Sequence, residues 1–482
     1  DYVVYHGNTY QSSFQDAVRV FSSILKLLRM LLNYGRHKVL QLRRLYRKSF
    51  LFAFILIGAA LVAVSALGFS YLVSYAATLN ETWVKQYPWT LLIGLPFGFM
   101  LLTVLTRRLA PYTAGSGIPQ VMASLYEQDP KKKGILVSFW PTLLKIPLTF
   151  FALVLGASVG REGPTVQVGA AMMWGWGKLC DRFYLTRFRF KKNELLAIGA
   201  AGGLAAAFNA PLAGIIFAIE ELSRTATLKW DRHIIVGILA AGFILVAIEG
   251  DNPNFPIFTG GASLRAMFWG ILIIGIVCGI LGGLFSKLLI KGLPFFLPGK
   301  IKPWVQHHPI WISGIMGLLV AMVGLYFEGA TLGIGYQHGA DGLRGVAGYE
   351  PGLMLGKFSV SLFSYWAGIP GGIFTPSLSI GALLGTGLHH LHWVLGMNQE
   401  VVVLFCMASF LAAVTQSPLT SSVIVMEMTL SSPMLFWLLI YSLVATFVAK
   451  QFSPRSFYLV SAIRYINLLR VLETPDKAKK KG

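Results

Sequence analysis

Long apolar runs with few charges recur along this chain, and several reach the length of a membrane span. A helix needs about 20 apolar residues to cross a bilayer, and the segments 50–77 and 88–109 both meet that length. Only 13% of the 482 residues are charged, about half the fraction found in soluble domains. Because lipid cannot satisfy an open backbone, the spanning segments are expected to be helical. The sequence therefore predicts an all-α polytopic membrane protein.

The net charge of +21 is concentrated at the chain ends and in a few connecting loops. Basic residues cluster in 26–48, 131–133, 187–192 and 477–481, whereas the loops 250–261 and 328–350 hold few. Cytoplasmic loops are enriched in Lys and Arg, and such loops attract anionic lipid. We therefore expect both termini in the cytoplasm and the basic-poor loops outside. This placement argues against nucleic-acid binding.

The pentapeptide Gly160-Arg161-Glu162-Gly163-Pro164 interrupts two apolar segments, 135–159 and 165–176. Ionisable residues inside a membrane are costly and usually line a pathway. Glycine permits unusual backbone angles, and proline is tolerated in a first helical turn. These features predict a broken helix whose fresh N-terminus, with its unpaired N–H groups, favours an anion. The alternative is an ordinary loop at the membrane surface.

An internal repeat organises the chain into two similar halves. Gly160, Pro164, Gly169 and Ala170 have the same spacing as Gly372, Pro376, Gly381 and Ala382, and the order Leu-Ala-Ala, Pro-Leu, Glu recurs at 204–220 and 411–427. We predict a basic N-terminal segment with an amphipathic helix (1–48), two membrane repeats (49–249 and 250–470) and a short basic tail (471–482). The spacing alone does not decide whether the halves are parallel or inverted.

The halves differ where ionisable residues stand. Arg161 and Glu162 correspond to Ile373 and Phe374, and Glu221 corresponds to Met428. We infer that one half carries proton chemistry that the other lacks.

Three glycine-rich motifs give the chain a family resemblance. Gly115-Ser116-Gly117-Ile118-Pro119, Gly160–Pro164 and Gly372-Ile373-Phe374-Thr375-Pro376 resemble, in order, the anion-site motifs of the CLC chloride channel and transporter family. The resemblance runs from about residue 50 to 470. It implies a homodimer with one anion pathway per subunit, each subunit made of two inverted repeats of tilted and broken helices. The chain ends soon after its last apolar segment, so the family's paired cytoplasmic regulatory domains are not expected.

The resemblance also implies which residues bind the anion. Family members place a serine and a tyrosine hydroxyl on the central ion, and backbone N–H groups complete the site. Here the serine is Ser116, which favours chloride over nitrate or fluoride, and the best match for the tyrosine is Tyr458. The predicted chloride-binding residues are Ser116, Gly117, Ile118, Arg161, Gly163, Ile373, Phe374 and Tyr458. Ser116 could instead be a simple turn or cap residue.

The family contains both passive channels and proton-coupled exchangers. In the exchangers an internal glutamate passes protons to the cytoplasm, and Glu221, preceded by Glu220, matches that position. The resemblance therefore favours a bacterial-type proton–chloride exchanger in the inner (plasma) membrane, with a passive channel as the alternative. Glu220 and Glu221 could also be solvated carboxylates at a helix end, and the match between Glu220 and Glu427 suggests a structural role shared by both halves.

Charge suggests how the exchange works. Ionised Glu162 is itself an anion and can occupy the N–H-lined site that chloride needs, whereas burial and bound chloride both favour its protonated form. Glu162 is thus predicted to be the gate and proton acceptor, with Glu221 and Glu220 as internal proton-transfer candidates. An intramembrane enzyme is a remote alternative, because no nucleophile or metal set accompanies these acids. The three scattered cysteines form no metal spacing, and no cofactor is expected.

Overall fold

The computed structural model describes residues 8–129, 132, 134–182, 191–225, 232–250, 253–390 and 396–471. Its internal contacts divide the chain into two units, Asp1–Ile55 and Leu56–Gly482. Regular structure in the described residues is helical, and the strand-like pairings consist of two isolated bridges. The predicted all-α fold is confirmed.

The helices up to residue 249 alternate long spans with short, interrupted segments. In chain order they are α1 (Asn8–Gln86), α2 (Leu91–Leu109), α3 (Ile118–Tyr126), α4 (Phe139–Leu143), α5 (Lys145–Val154), α6 (Glu162–Arg182), α7 (Lys192–Phe208), α8 (Pro211–Glu220) and α9 (Arg232–Glu249). Short 3-10 helices cover Pro88–Thr90 and Leu222–Arg224.

The later helices follow the same mixture of lengths. They are α10 (Leu264–Lys291), α11 (Lys302–His307), α12 (Pro309–Tyr326), α13 (Tyr336–Leu343), α14 (Leu353–Trp366), α15 (Phe374–His389), α16 (Gln399–Thr415), α17 (Pro418–Thr429), α18 (Leu435–Phe452) and α19 (Phe457–Val471). Two further 3-10 helices cover Leu293–Phe296 and Ser432–Met434.

Six of the described helical segments are long and apolar enough to cross a membrane. They are Ser49–Gln86, Pro88–Leu109, Arg232–Glu249, Leu264–Lys291, Pro309–Tyr326 and Ser432–Phe452. The multi-pass prediction is confirmed by this pattern. Shorter helices such as α7, α15 and α16 are largely buried among their neighbours.

Two segments differ from the sequence prediction. The predicted amphipathic helix within 1–48 and the span 50–77 are parts of one helix, α1. No proline lies between residues 8 and 86, and an isolated glycine costs a helix only about 1 kcal/mol. Conversely, the segment 135–159 contains two helices, α4 and α5, because Pro147 has no N–H to continue the hydrogen-bond ladder.

The centre of the second unit is built from tightly packed, glycine-lined helix pairs. A Cβ atom on Gly169 of α6 would lie 2.3 Å from the Gly199 carbonyl oxygen of α7. The equivalent Gly381 of α15 approaches α16, where a Cβ atom would lie 2.7 Å from the Cys406 carbonyl oxygen. Small residues let helix backbones approach this closely within a membrane. The repeated glycine therefore has the same packing function in both halves.

Two glutamates tie the halves together by capping each other's helices. Glu427, near the end of α17, accepts hydrogen bonds from the N–H groups of Leu212 (3.1 Å) and Ala213 (2.7 Å) at the start of α8. Glu220, at the end of α8, accepts them from Leu419 (3.2 Å) and Thr420 (2.6 Å) at the start of α17. Each helix ends where its partner begins, so α8 and α17 are antiparallel. This arrangement supports the inverted relation of the halves.

Candidate functional site

The three glycine-rich motifs meet at one place through backbone hydrogen bonds. Gly115 donates to the Ile369 carbonyl and accepts from the Gly371 N–H, both at 3.1 Å. Gly160 and Gly372 exchange two hydrogen bonds of 2.7 Å each. Helices α3, α6 and α15 all begin within three residues of these bridges. The positive ends of three helix dipoles therefore converge, as a site for an anion requires.

Glycines make this convergence possible. Gly117 has a φ of +110°, a backbone angle that side-chain-bearing residues rarely adopt. A Cβ atom on Gly163 would lie 2.3 Å from the Ser116 hydroxyl oxygen, and one on Gly372 would lie 3.0 Å from the Gly163 nitrogen. The predicted residues Ser116, Gly117 and Gly163 are thus in direct contact.

Two buried hydroxyl groups point into this region. The Ser116 and Tyr458 side chains lie close enough to interact, yet neither hydroxyl makes a hydrogen bond of normal geometry with a described residue. The Tyr458 ring stacks on Phe374, with ring centroids 5.7 Å apart. A buried hydroxyl without a partner costs free energy, so both are suited to donate to an anion. The structure brings Ser116, Phe374 and Tyr458 together as predicted.

The predicted gate residue, Glu162, is the first residue of α6 and has no exposed surface. Its Oε1 atom accepts hydrogen bonds from the Thr375 hydroxyl and, at 3.4 Å, from the Tyr336 hydroxyl. Its Oε2 atom has no hydrogen-bond partner among the described residues, and it lies 2.3 Å from the position of a Cβ atom on Gly160. The carboxylate is therefore held by neutral donors, in a space that only glycine leaves open.

Sequence reasoning missed Thr375 and Tyr336 as partners of Glu162. Thr375 lies inside a quoted motif, but its side-chain direction could not be inferred from the spacing. Tyr336 lies 174 positions from Glu162 and belongs to none of the three motifs. The sequence offered one signal for Tyr336, namely its position directly after Gly333-Ile334-Gly335.

Arg161 takes a different direction from its neighbour Glu162. Its guanidinium donates to the Ser70 hydroxyl and, at 3.3 Å, to the Ala207 carbonyl oxygen. It also lines a cavity of about 770 Å³ whose wall includes Ser70, Asn80, Arg161, Tyr336 and His338. We call it the outer cavity because the loop 328–350, which the sequence predicts to face outward, forms part of that wall. Arg161 thus contributes positive charge to the wall of this cavity.

Ile118 and Ile373 stand at helix starts, as the resemblance implies. Ile118 begins α3 and Ile373 immediately precedes α15, and both side chains are buried. Their backbone contribution to anion binding remains a prediction.

Glu221 lies in a second buried location, after the end of α8. Its Oε2 atom accepts a hydrogen bond from Ser417 and lies 3.4 Å from Nε of Arg224. Arg224 also donates to the Gln416 carbonyl oxygen at 2.5 Å and to the Ser417 hydroxyl at 3.1 Å. Because Glu221 is 1% exposed, it is not the solvated carboxylate of the alternative interpretation.

The buried Tyr458 side chain interacts with both carboxylates. It lies within electrostatic range of both Glu162 and Glu221. Glu220, in contrast, directs its carboxylate to the N-terminus of α17. That geometry agrees with the structural role that the match to Glu427 suggested.

Comparison with known proteins agrees with this architecture. A profile of the family "Voltage gated chloride channel" matches residues 97–450. The H(+)/Cl(-) exchange transporter ClcA of Salmonella typhi is 32% identical over 371 residues, which cover 73% of this chain and 74% of that protein.

Solved structures share the fold. A slow cyanobacterial Cl-/H+ antiporter is 25% identical, with a TM-score of 0.74 over 87% of this chain and 98% of that one. A CLC-type fluoride/proton antiporter, 21% identical, gives a TM-score of 0.67 over 86% of this chain and 98% of that one. Converging helix ends, an intervening buried glutamate and these matches lead to one conclusion: this chain belongs to the CLC family of voltage-gated chloride channels and transporters.

Proposed function

We propose that this protein is a proton-coupled chloride antiporter in which Glu162 is both gate and proton acceptor. One observation carries the proposal: besides Glu162, buried at the converging helix starts, the protein buries a second carboxylate, Glu221, whose Oε2 atom lies 3.4 Å from Nε of Arg224. The relatives named as H(+)/Cl(-) exchangers support the same activity. A passive channel needs an anion pathway but gives no reason for a second buried acid.

Chloride would bind where α3, α6 and α15 begin. The hydroxyls of Ser116 and Tyr458 would donate to it, and the first N–H groups of α15, near Ile373 and Phe374, would complete the coordination. Such donors replace the water that a chloride ion loses on entering the membrane. The partial positive charge at each helix start, about half an elementary charge, favours the anion without a fixed cation.

Glu162 would couple chloride to protons by competing for this site. In its ionised form the carboxylate, which stands at the start of α6, would compete with chloride for the positive ends of the same converging helices. Protonation removes that charge, so the side chain can leave and chloride can enter. Occupation by chloride and protonation of Glu162 thereby become linked, since each ligand changes the affinity for the other.

Glu221 would exchange protons with the cytoplasm. Arg224 and Ser417 stabilise its ionised form, whereas burial disfavours that form. These opposed effects suit a group that must both accept and release a proton. Glu220, the other acid at this end of α8, would contribute chiefly by holding α17.

We further propose that the protein works as a homodimer in the inner membrane, with one pathway per subunit and both termini in the cytoplasm. Exposed apolar side chains such as Phe97 and Phe447 lie on spanning segments and are suited to lipid. Chloride and protons are the expected substrates, and nucleic acid is not an expected partner.

The test is the reversal potential of the purified protein in liposomes under opposed chloride and proton gradients. An antiporter gives a potential that depends on both gradients, and it moves protons uphill when a chloride gradient drives it. A potential that follows chloride alone would overturn the proposal and identify a passive channel.

A further inference from the structure

Tyr336 stands between the outer cavity and Glu162. Its side chain lines that cavity, and its hydroxyl donates to Oε1 of Glu162 at 3.4 Å. Glu162 itself has no exposed surface. A molecule entering from the outer cavity therefore meets Tyr336 before it meets the carboxylate.

The backbone that carries Tyr336 is firmly held. Gly335, with a φ of +81°, precedes it, and a Cβ atom there would lie 2.9 Å from Cε of Lys357. Lys357 is completely buried and donates to the carbonyl oxygens of Gly333 (2.7 Å) and Thr331 (3.1 Å). A buried ammonium group is tolerated only when its hydrogen bonds are satisfied. Lys357 thus fixes the segment 331–333 that leads into α13.

The Tyr336 ring is supported on one side by Phe255, with ring centroids 5.3 Å apart. Phe255 is itself anchored, because its N–H donates to the Met428 carbonyl oxygen at 3.0 Å. With backbone and neighbour both fixed, the part of Tyr336 that can move is its side chain. Rotation of a side chain is fast compared with domain motion.

We propose that Tyr336 is the outer gate of the pathway: its ring covers Glu162 from the outer cavity, and its hydroxyl stabilises the ionised carboxylate. When Glu162 is protonated, the hydrogen bond loses its charge-assisted character. The ring is then free to swing toward the cavity and admit chloride or a proton. Tyr336 is a positioning residue in this scheme, which rests on the proposed role of Glu162.

Accessibility tests the covering ring without requiring transport. A Thr375→Cys variant places a buried reactive thiol beside Glu162 and keeps the charged carboxylate that holds the Tyr336 ring, and the native cysteines, Cys180, Cys278 and Cys406, are all buried. A membrane-impermeant methanethiosulfonate reagent is added to the outer side of right-side-out vesicles. Adding Tyr336→Ala should raise the labelling rate roughly tenfold or more, because the rate scales with the fraction of open molecules.

The matched control is Tyr349→Ala in the same Thr375→Cys background. Tyr349 is an exposed tyrosine that packs against His390 rather than along the outer cavity, so its removal should leave the labelling rate unchanged. Tyr336→Leu keeps an apolar contact with Phe255 and gives the same readout if the alanine variant does not fold. Equal labelling rates with and without the Tyr336 ring would overturn the gate.

The hydroxyl is tested separately by Tyr336→Phe in otherwise unaltered protein. Loss of the donor should raise the external pH at which exchange is half-maximal by roughly half a pH unit, the size expected for one hydrogen bond. The dependence on internal pH should not change. An unchanged external pH profile would remove the hydroxyl from the mechanism. If the wild-type protein shows no proton coupling, the proposed function is refuted, whereas the labelling result can still be interpreted.

Discussion

Glu162 and Glu221 are both buried acids, but their partners are of different kinds. Glu162 accepts hydrogen bonds from two neutral hydroxyls, those of Thr375 and Tyr336. Glu221 accepts from the Ser417 hydroxyl and also lies 3.4 Å from the Arg224 guanidinium. The Glu162 carboxylate is therefore held by hydroxyl hydrogen bonds that weaken when it is protonated, whereas the Glu221 carboxylate is held by a fixed cation.

This difference matches two different tasks. A gate must leave its position when it is neutralised, and a hydroxyl contact weakens strongly once the carboxylate loses its charge. A proton-transfer group must stay in place while its protonation changes. A nearby cation that is anchored to the Gln416 carbonyl oxygen provides that fixed position. The contrast predicts that replacing Glu162 and replacing Glu221 impair transport in different ways.

The largest effect is expected for Glu162→Gln. The amide cannot ionise, so it cannot rival chloride or carry a proton. Chloride flux in liposomes should persist, proton pumping driven by a chloride gradient should fall to the level of protein-free liposomes, and chloride flux should lose its dependence on external pH. Fluorescent pH indicators and a chloride electrode provide the measurement. Normal proton pumping by this variant would show that Glu162 is not the gate.

Glu221→Gln should also abolish proton movement, but by blocking proton transfer at Glu221 rather than at Glu162. Because Glu162 keeps its carboxyl group in this variant, chloride flux should remain and should keep its dependence on external pH. Measuring both variants over the same external pH series distinguishes the two acids. If the two pH profiles coincide, the difference in their surroundings has no functional meaning.

The sequence predicted the helix starts around the site better than it predicted the side-chain contacts of Glu162 and Glu221. Glycine and proline spacing in the motifs around Ser116, Glu162 and Phe374 predicted three helix starts, because backbone requirements are local. Their convergence followed from the family resemblance. The partners of Glu162 and Glu221 depend on side-chain directions across elements far apart in the chain, and periodicity carries no information on those directions. The single long helix α1 was divided in the prediction because a change from polar to apolar composition does not itself end a helix.

Glu220→Ala tests whether one acid or two transfer protons at the end of α8. The carboxylate caps α17 just as Glu427 caps α8, and loss of a helix cap costs roughly 1 kcal/mol. Glu220→Ala and the matched control Glu427→Ala should both lower the thermal unfolding temperature in detergent. Both should retain the proton-to-chloride ratio of the wild type. A loss of coupling confined to Glu220→Ala would place that residue in the proton path.

The smallest effect is expected for Ser417→Ala, which removes one donor to Glu221 and one acceptor of Arg224, while Arg224 keeps its hydrogen bond to the Gln416 carbonyl oxygen. The ionised carboxylate loses one hydrogen bond, so protonation from the inside becomes easier. The internal pH that gives half-maximal proton transport should therefore rise, by an amount of about one pH unit or less, since one unit corresponds to about 1.4 kcal/mol. External pH dependence should stay as in the wild type, because Glu162 keeps Thr375 and Tyr336. Proton flux recorded with pH varied on one side at a time separates these responses, and a shift on the external side would mean that the two carboxylates share one set of donors.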